Sequence, residues 1–67
     1  MTTTYRVSLA NPDGWVALYE TGDEGDARNV ARRRSLGYLS SLVVERVEDT
    51  VPESREEIGR YANGTKL

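Results

Sequence analysis

The chain has no cysteine and no histidine. Disulfides are therefore excluded, and a metal site would have to be built from carboxylates and carbonyls, which suit hard, weakly held cations. The same two absences remove the side chains that most often serve as nucleophile and general base. No apolar run approaches the roughly 20 residues of a membrane span. The opening "MTTTYRVSLANPDG" lacks the basic stretch and apolar core of a secretory leader. With cysteine missing too, the expected location is cytoplasmic. A strong charge of one sign is also lacking: the net charge of −2 is too small for a DNA mimic or a general nucleic-acid binder.

Phosphate loops are missing as well. "ETGDEGD" has two glycines, but its four acidic residues repel phosphate. Apart from Asp13, the carboxylates fall in two solvated clusters, 20–26 and 45–57, and none of the serines has a base at a recognisable spacing. The expectation is a protein that is not an enzyme, with no catalytic residues, no cofactor and no metal.

Sixty-seven residues suit one domain, 1–67, divided into a core at 4–49 and a tail at 50–67. A chain this short buries only about 60% of its unfolded surface. With disulfides excluded, oligomerisation is the reinforcement left open.

Residues 4–10, "TYRVSLA", alternate, with Tyr5, Val7 and Leu9 on one face and Arg6 and Ser8 on the other. "NPDG" places proline at the second position of a tight turn. The turn sets the register of a hairpin with the next strand. Ala10 then faces Trp15, Leu9 faces Val16, Ser8 faces Ala17, Val7 faces Leu18, and Arg6 faces Tyr19. One sheet face is therefore Tyr5, Val7, Leu9, Val16 and Leu18. The other carries Trp15, Ala17 and Tyr19 beside Arg6 and Ser8.

Asp23, Glu24 and Asp26 precede Arg32, Arg33 and Arg34, the polarity that a helix dipole favours. Ala27, Val30 and Ala31 form the apolar stripe of that helix, and Gly37 is its expected stop, with Tyr38 packing back. "SLVVERVED" is a third strand, with Leu42 and Val44 on one face and Val43 and Val47 on the other. In "TVPESREEIGRYANGTKL", Thr50 with Glu53 and Ser54 with Glu57 fit the capping-box spacing. Ile58, Tyr61 and Ala62 give a narrow helical stripe, so a short C-terminal helix is expected, fraying over 63–67. The fold class is α+β: a β-β-α-β sheet in the order 2-1-3 with strand one central (1-2-3 being the alternative), one covering helix and the C-terminal helix.

The second sheet face raises the functional question. Large apolar patches mark contact surfaces, and three covers are available: the C-terminal helix, a second copy of the chain, or a foreign protein. A protein interface over Arg6, Trp15, Ala17 and Tyr19 is the leading expectation, since Trp, Tyr and Arg are common anchors. The alternative uses Arg28, Arg32, Arg33 and Arg34 against nucleic acid or an acidic partner. Nucleic acid is disfavoured there, because no aromatic residue is interleaved for base stacking. A third expectation is a homo-oligomeric structural or assembly role.

Two resemblances bear on this. The segment from "WVALYE" through "DARNVARRRSLGYLSSLVVERV", residues 15–47, resembles one half of a sporulation-related repeat domain through Ala27, Ala31, Gly37 and Tyr38. That family implies peptidoglycan binding in the cell envelope by two such halves. The whole chain is also similar to the small arginine-rich cytoplasmic proteins of actinobacteriophages, in its strand-strand-helix-strand pattern with "VVERVE" and a polar tail. That likeness implies an accessory protein that binds a host protein and alters its activity.

Overall fold

A computed structural model describes residues 2–38 and 40–67. The order of elements is β1 (Thr3–Asn11), β2 (Gly14–Thr21), α1 (Glu24–Arg34), a 3-10 turn (Ser35–Gly37), β3 (Leu42–Glu48), β4 (Ser54–Ala62) and β5 (Thr65–Lys66). They form a five-stranded sheet in the order β2-β1-β3-β4-β5, antiparallel at every pairing. The expected 2-1-3 core is present, with β1 between β2 and β3 and antiparallel to both.

The expected C-terminal helix is overturned: its residues form β4 and β5 and extend the sheet. Thr50 and Ser54 cap nothing, for the Thr50 hydroxyl donates to the Pro52 carbonyl and Ser54 opens a strand. The misleading signal has a physical origin. Ile58 and Tyr61, three residues apart, share a face in a helix but lie on opposite faces of a regular strand. Here Val44 pairs with Gly59 and Glu45 with Glu57, so Ile58 is the extra residue of a β-bulge. The bulge shifts the alternation by one, and Ile58 and Tyr61 both reach the helix-side core. Pairing to β3, whose Leu42, Val43 and Val44 are fully buried, outweighs the local helical preference.

β2 repeats the device. From Ala10–Trp15 to Ser8–Ala17 the register is the expected one, but Val7 then pairs with Tyr19 and Arg6 with Glu20. Leu18 is the bulged residue. The expected pairs Val7–Leu18 and Arg6–Tyr19 are therefore corrected, and Tyr19 moves from the second face to the helix side, where it packs against the core.

α1 starts at Asp23, whose carboxylate accepts from the backbone N–H groups of Gly25 and Asp26 at 2.8 and 3.3 Å. This satisfies two of the orphan donors of the first turn. Ala27 and Ala31 have no exposed surface and Val30 has little, so the stripe read from the sequence is the buried one. It packs on Val7, Leu42, Val44 and Tyr61. Arg34 ends the helix, and the 3-10 turn carries the chain on to Tyr38, which is 37% exposed and lies outside the helix-side core. The fraying expected over 63–67 is replaced by a hairpin. Asn63 and Gly64 take left-handed backbone at φ 53° and 78°, as a two-residue Asn-Gly turn requires. The Leu67 N–H then donates to the Arg60 carbonyl at 2.8 Å.

The core under α1 is small, and Leu42 is its largest fully buried side chain. Leu42→Ala should cost about 2–5 kcal/mol. A single core of this size rarely supplies more than about 3–5 kcal/mol. Urea titration should therefore find the variant largely unfolded in buffer; a loss below about 1 kcal/mol would mean that the core is not centred on this residue.

Candidate functional site

Three surfaces hold the residues that the sequence singles out: the sheet face opposite α1, the free edge of β2, and the two flanks of α1. The register places Thr4, Arg6, Ser8 and Ala10 of β1 on the open face with Trp15, Ala17 and Glu20 of β2. β3 adds Val43, Glu45 and Val47, and β4 adds Arg55, Glu57 and Arg60. Of the four proposed interface residues, the structure brings Arg6, Trp15 and Ala17 together here and removes Tyr19.

This face is not the bare apolar patch that the sequence suggests. Val43 is fully buried, Val47 is 4% exposed and Ser8 is 3% exposed, although α1 packs on the opposite face of the sheet. The groups that the register sets beside Val43 and Val47 include the long side chains of Arg6, Arg55 and Arg60. Such side chains can lay their methylene stems on apolar surface while the heads stay wet. The heads are tied: Arg6 to Glu20 at 2.9 Å and Glu53 at 4.0 Å, Arg55 to Glu53 at 2.9 Å, and Arg60 to Glu57 at 3.1 Å. Exposed pairs of this kind are worth about 0–1 kcal/mol each, whereas burying a valine is worth roughly 1.5–3 kcal/mol. The sealing of the valines, more than the ion pairs themselves, is what this arrangement contributes. None of the three expected covers is needed over the middle of the face.

The apolar exposure that remains sits at the β2 end. Trp15 is 48% and Val16 51% exposed, and Ala17 is exposed beside them. β2 is also a sheet edge, so one side of its backbone has no strand partner. From Gly14 to Tyr19 it carries no charge.

The four arginines of α1 divide between its two flanks. On the β4 side, Arg28 donates to Glu24 at 2.9 Å, to the Ile58 carbonyl at 3.1 Å and to the Tyr61 hydroxyl at 3.4 Å. The Tyr61 hydroxyl first, and Glu24 next, hold this guanidinium above its ordinary pKa. Arg28 is therefore a strut between helix and sheet. Gly59 makes room for it, because a Cβ there would lie 2.9 Å from a guanidinium nitrogen. Arg32 donates to Asn29 at 3.0 Å. Arg33 and Arg34 lie on the β2 side, around a hollow shared with Tyr19, Asp26 and Val30.

Tyr19 donates its hydroxyl hydrogen bond to Asp26 and so ties β2 to the first turn of α1. The bond to Asp26 raises the tyrosine's pKa, with burial and the same carboxylate's charge adding to the effect. Its functional part is this internal tie, which the sequence reading missed because the bulge at Leu18 leaves no signature in residue type.

No family model matches the chain, and no curated protein or solved structure matches it either. Among the described residues, no group of acidic side chains is arranged to hold a metal ion, and no helix is long and apolar enough to cross a membrane.

Because the folded pKa of Tyr19 lies above the unfolded value of about 10, the Tyr19–Asp26 contact contributes fully below that pH. It is lost as pH rises through the higher folded value. Tyr19→Phe should remove a late-ionising component from the ultraviolet titration of the chain. A variant whose titration keeps that late component would show that the contact does not persist in solution.

Proposed function

We propose that this protein is a small interaction module that works by strand addition at β2, and that the strand it adds is β2 of a second copy. The observation that carries the reading is the contrast between the two sheet edges. The outer side of β4 is protected by Arg55, Glu56 and Glu57 and then covered by β5. Charged side chains of this kind are the common way of blunting an edge. β2 has no such protection over Gly14–Ala17, and its bulge comes only at Leu18. An uncharged, exposed, regular edge is a template for another strand.

A second copy suits this edge by its shape. An antiparallel pairing about a two-fold axis at Val16 sets Trp15 opposite Ala17 of the other copy, twice, large against small on the open face. Val16 meets Val16 on the helix side. No like charges meet, because the segment has none. The contact is isologous, as in most homodimers, and it supplies the oligomeric reinforcement that a chain of this length lacks. The sequence-based interface over Arg6, Trp15, Ala17 and Tyr19 thus contracts to Trp15, Val16 and Ala17, with Arg6 engaged by Glu20.

Light scattering over a concentration series should show a reversible monomer–dimer equilibrium. Val16→Lys and Val16→Glu, each of which brings like charges face to face across the axis, should both be monomeric and folded. An equimolar mixture of the two should dimerise again. A wild-type chain that stays monomeric to millimolar concentration would overturn the reading, as would a dimer indifferent to both substitutions.

A further inference from the structure

The β4 side of α1 holds a groove of about 500 Å³ lined by Gly25, Arg28, Asn29, Arg32, Tyr61, Gly64, Thr65 and Lys66. Its lining carries three cations, an amide and two hydroxyls, and no carboxylate. That composition is at odds with the chain as a whole, which has eleven acidic residues against nine basic ones. Elsewhere Arg6, Arg46, Arg55 and Arg60 sit in ion pairs, while Arg33 and Arg34 on the other flank of α1 make none among the described residues. In the groove, Arg28 has Glu24, while Arg32 bonds only the neutral Asn29 and Lys66 makes no ion pair among the described residues.

The walls are held in place. Ser35 is fully buried, donates to the Arg32 carbonyl at 2.8 Å and accepts from the Gly64 N–H at 2.8 Å. Gly64 presses so closely on the 3-10 turn that a Cβ would lie 2.9 Å from the Leu36 side chain. The tip of the β4–β5 hairpin is thus latched to the end of α1, which sets the strand carrying Lys66 and the helix turn carrying Arg32 around one concavity. Holding like charges around a concave surface raises its potential and concentrates anions there.

We propose that this groove is a binding site for a phosphoryl group, presented by a small phosphorylated ligand or by the 5′ end of a nucleic-acid strand. Arg32 supplies a planar fork that matches phosphate oxygens and Lys66 a point charge. Asn29 and Thr65 add neutral donors. Arg28 stays on the floor, where its bonds to Ile58 and Tyr61 keep it in place. Tyr61 is 5% exposed and its hydroxyl already accepts from Arg28, so it offers no face to a base. The site reads phosphate rather than nucleobase. It is independent of the β2 edge, at the other side of the sheet.

The test is a titration of the whole chain with inorganic pyrophosphate at low salt, followed by backbone amide NMR. Shifts should concentrate at Asn29, Arg32, Thr65 and Lys66. Arg32→Ala and Lys66→Ala should each weaken binding about tenfold, as expected for the loss of one charge-assisted contact. The double variant should abolish it while the spectrum stays that of a folded protein. Ser35→Ala, which keeps every charge but opens the latch, should weaken binding by a smaller factor. No groove shifts at millimolar pyrophosphate would overturn the proposal, as would undiminished binding by the double variant. A 5′-phosphorylated oligonucleotide separates the two sources. Tighter binding than pyrophosphate that depends on the terminal phosphate assigns the strand end, and equal or weaker binding assigns the small ligand.

Discussion

The fold turns on one row of the sheet, Tyr19–Val7–Val44–Gly59, which crosses all four long strands beneath α1. Both β-bulges lie against this row, one after Ala17 in β2 and one at Ile58 in β4. A bulge bends its strand and increases the local twist. Here the two outer strands are bent about the central pair β1 and β3, and each delivers additional apolar side chains to the helix side: Leu18 with Tyr19, and Ile58 with Tyr61. A single eleven-residue helix with only Ala27, Val30 and Ala31 to bury could not enclose a flat four-stranded sheet. The curvature lets a small helix close a small core, and the polar ties from Tyr19 to Asp26 and from Arg28 to Ile58 fix the two outer strands to it.

The same row explains which parts of the fold are legible in the sequence. The first hairpin turn, the helix with its acidic start and basic end, and the facing of Leu42, Val44, Val43 and Val47 all follow from local patterns, and the structure has them. What a single sequence does not display is a shift of alternation in mid-strand. At Leu18 nothing marks the change, and so Tyr19 is assigned to the wrong face. At Ile58 the shift imitates a helical stripe, reinforced by capping-box spacings at Thr50 and Ser54. Gly59, next to the bulge, is the one local hint, since glycine inside a strand often accompanies a bulge or a close approach. Here it accompanies both, the second being the Arg28 guanidinium.

The candidate site is legible to a similar degree. Trp15 and Ala17 are found from alternation alone, whereas the four arginines of α1 are read as one group that the structure divides between two flanks. The contribution of Val16 depends on its strand being an edge, which is a property of sheet order. Thr65 and Lys66 join the groove only because the tail becomes a hairpin. In each case the missing information is a non-local pairing, and local propensity is silent about which strand will lie next to which.

The open face shows how a chain with so little core manages a second sheet surface. A conventional solution adds another layer, and 67 residues do not supply one. The valines of β3 are instead buried on a face that also carries Arg6, Arg55 and Arg60 with Glu20, Glu45 and Glu57, whose charges balance over the face as a whole. Such a cover needs cations and anions in nearly equal number, and it commits Arg6, Arg55 and Arg60, while Arg28 is held as a strut and Arg46 in its pairs with Glu48 and Glu56. The cations not so committed are Arg32, Arg33, Arg34 and Lys66, all on the helix side of the molecule or at the sheet edge below it. Dipole compensation accounts for arginines in the last turn of α1. It does not account for Lys66, which belongs to a different element and is brought beside Arg32 by a buried serine and a left-handed glycine. A latch with that effect makes sense if the charge it gathers meets an anion.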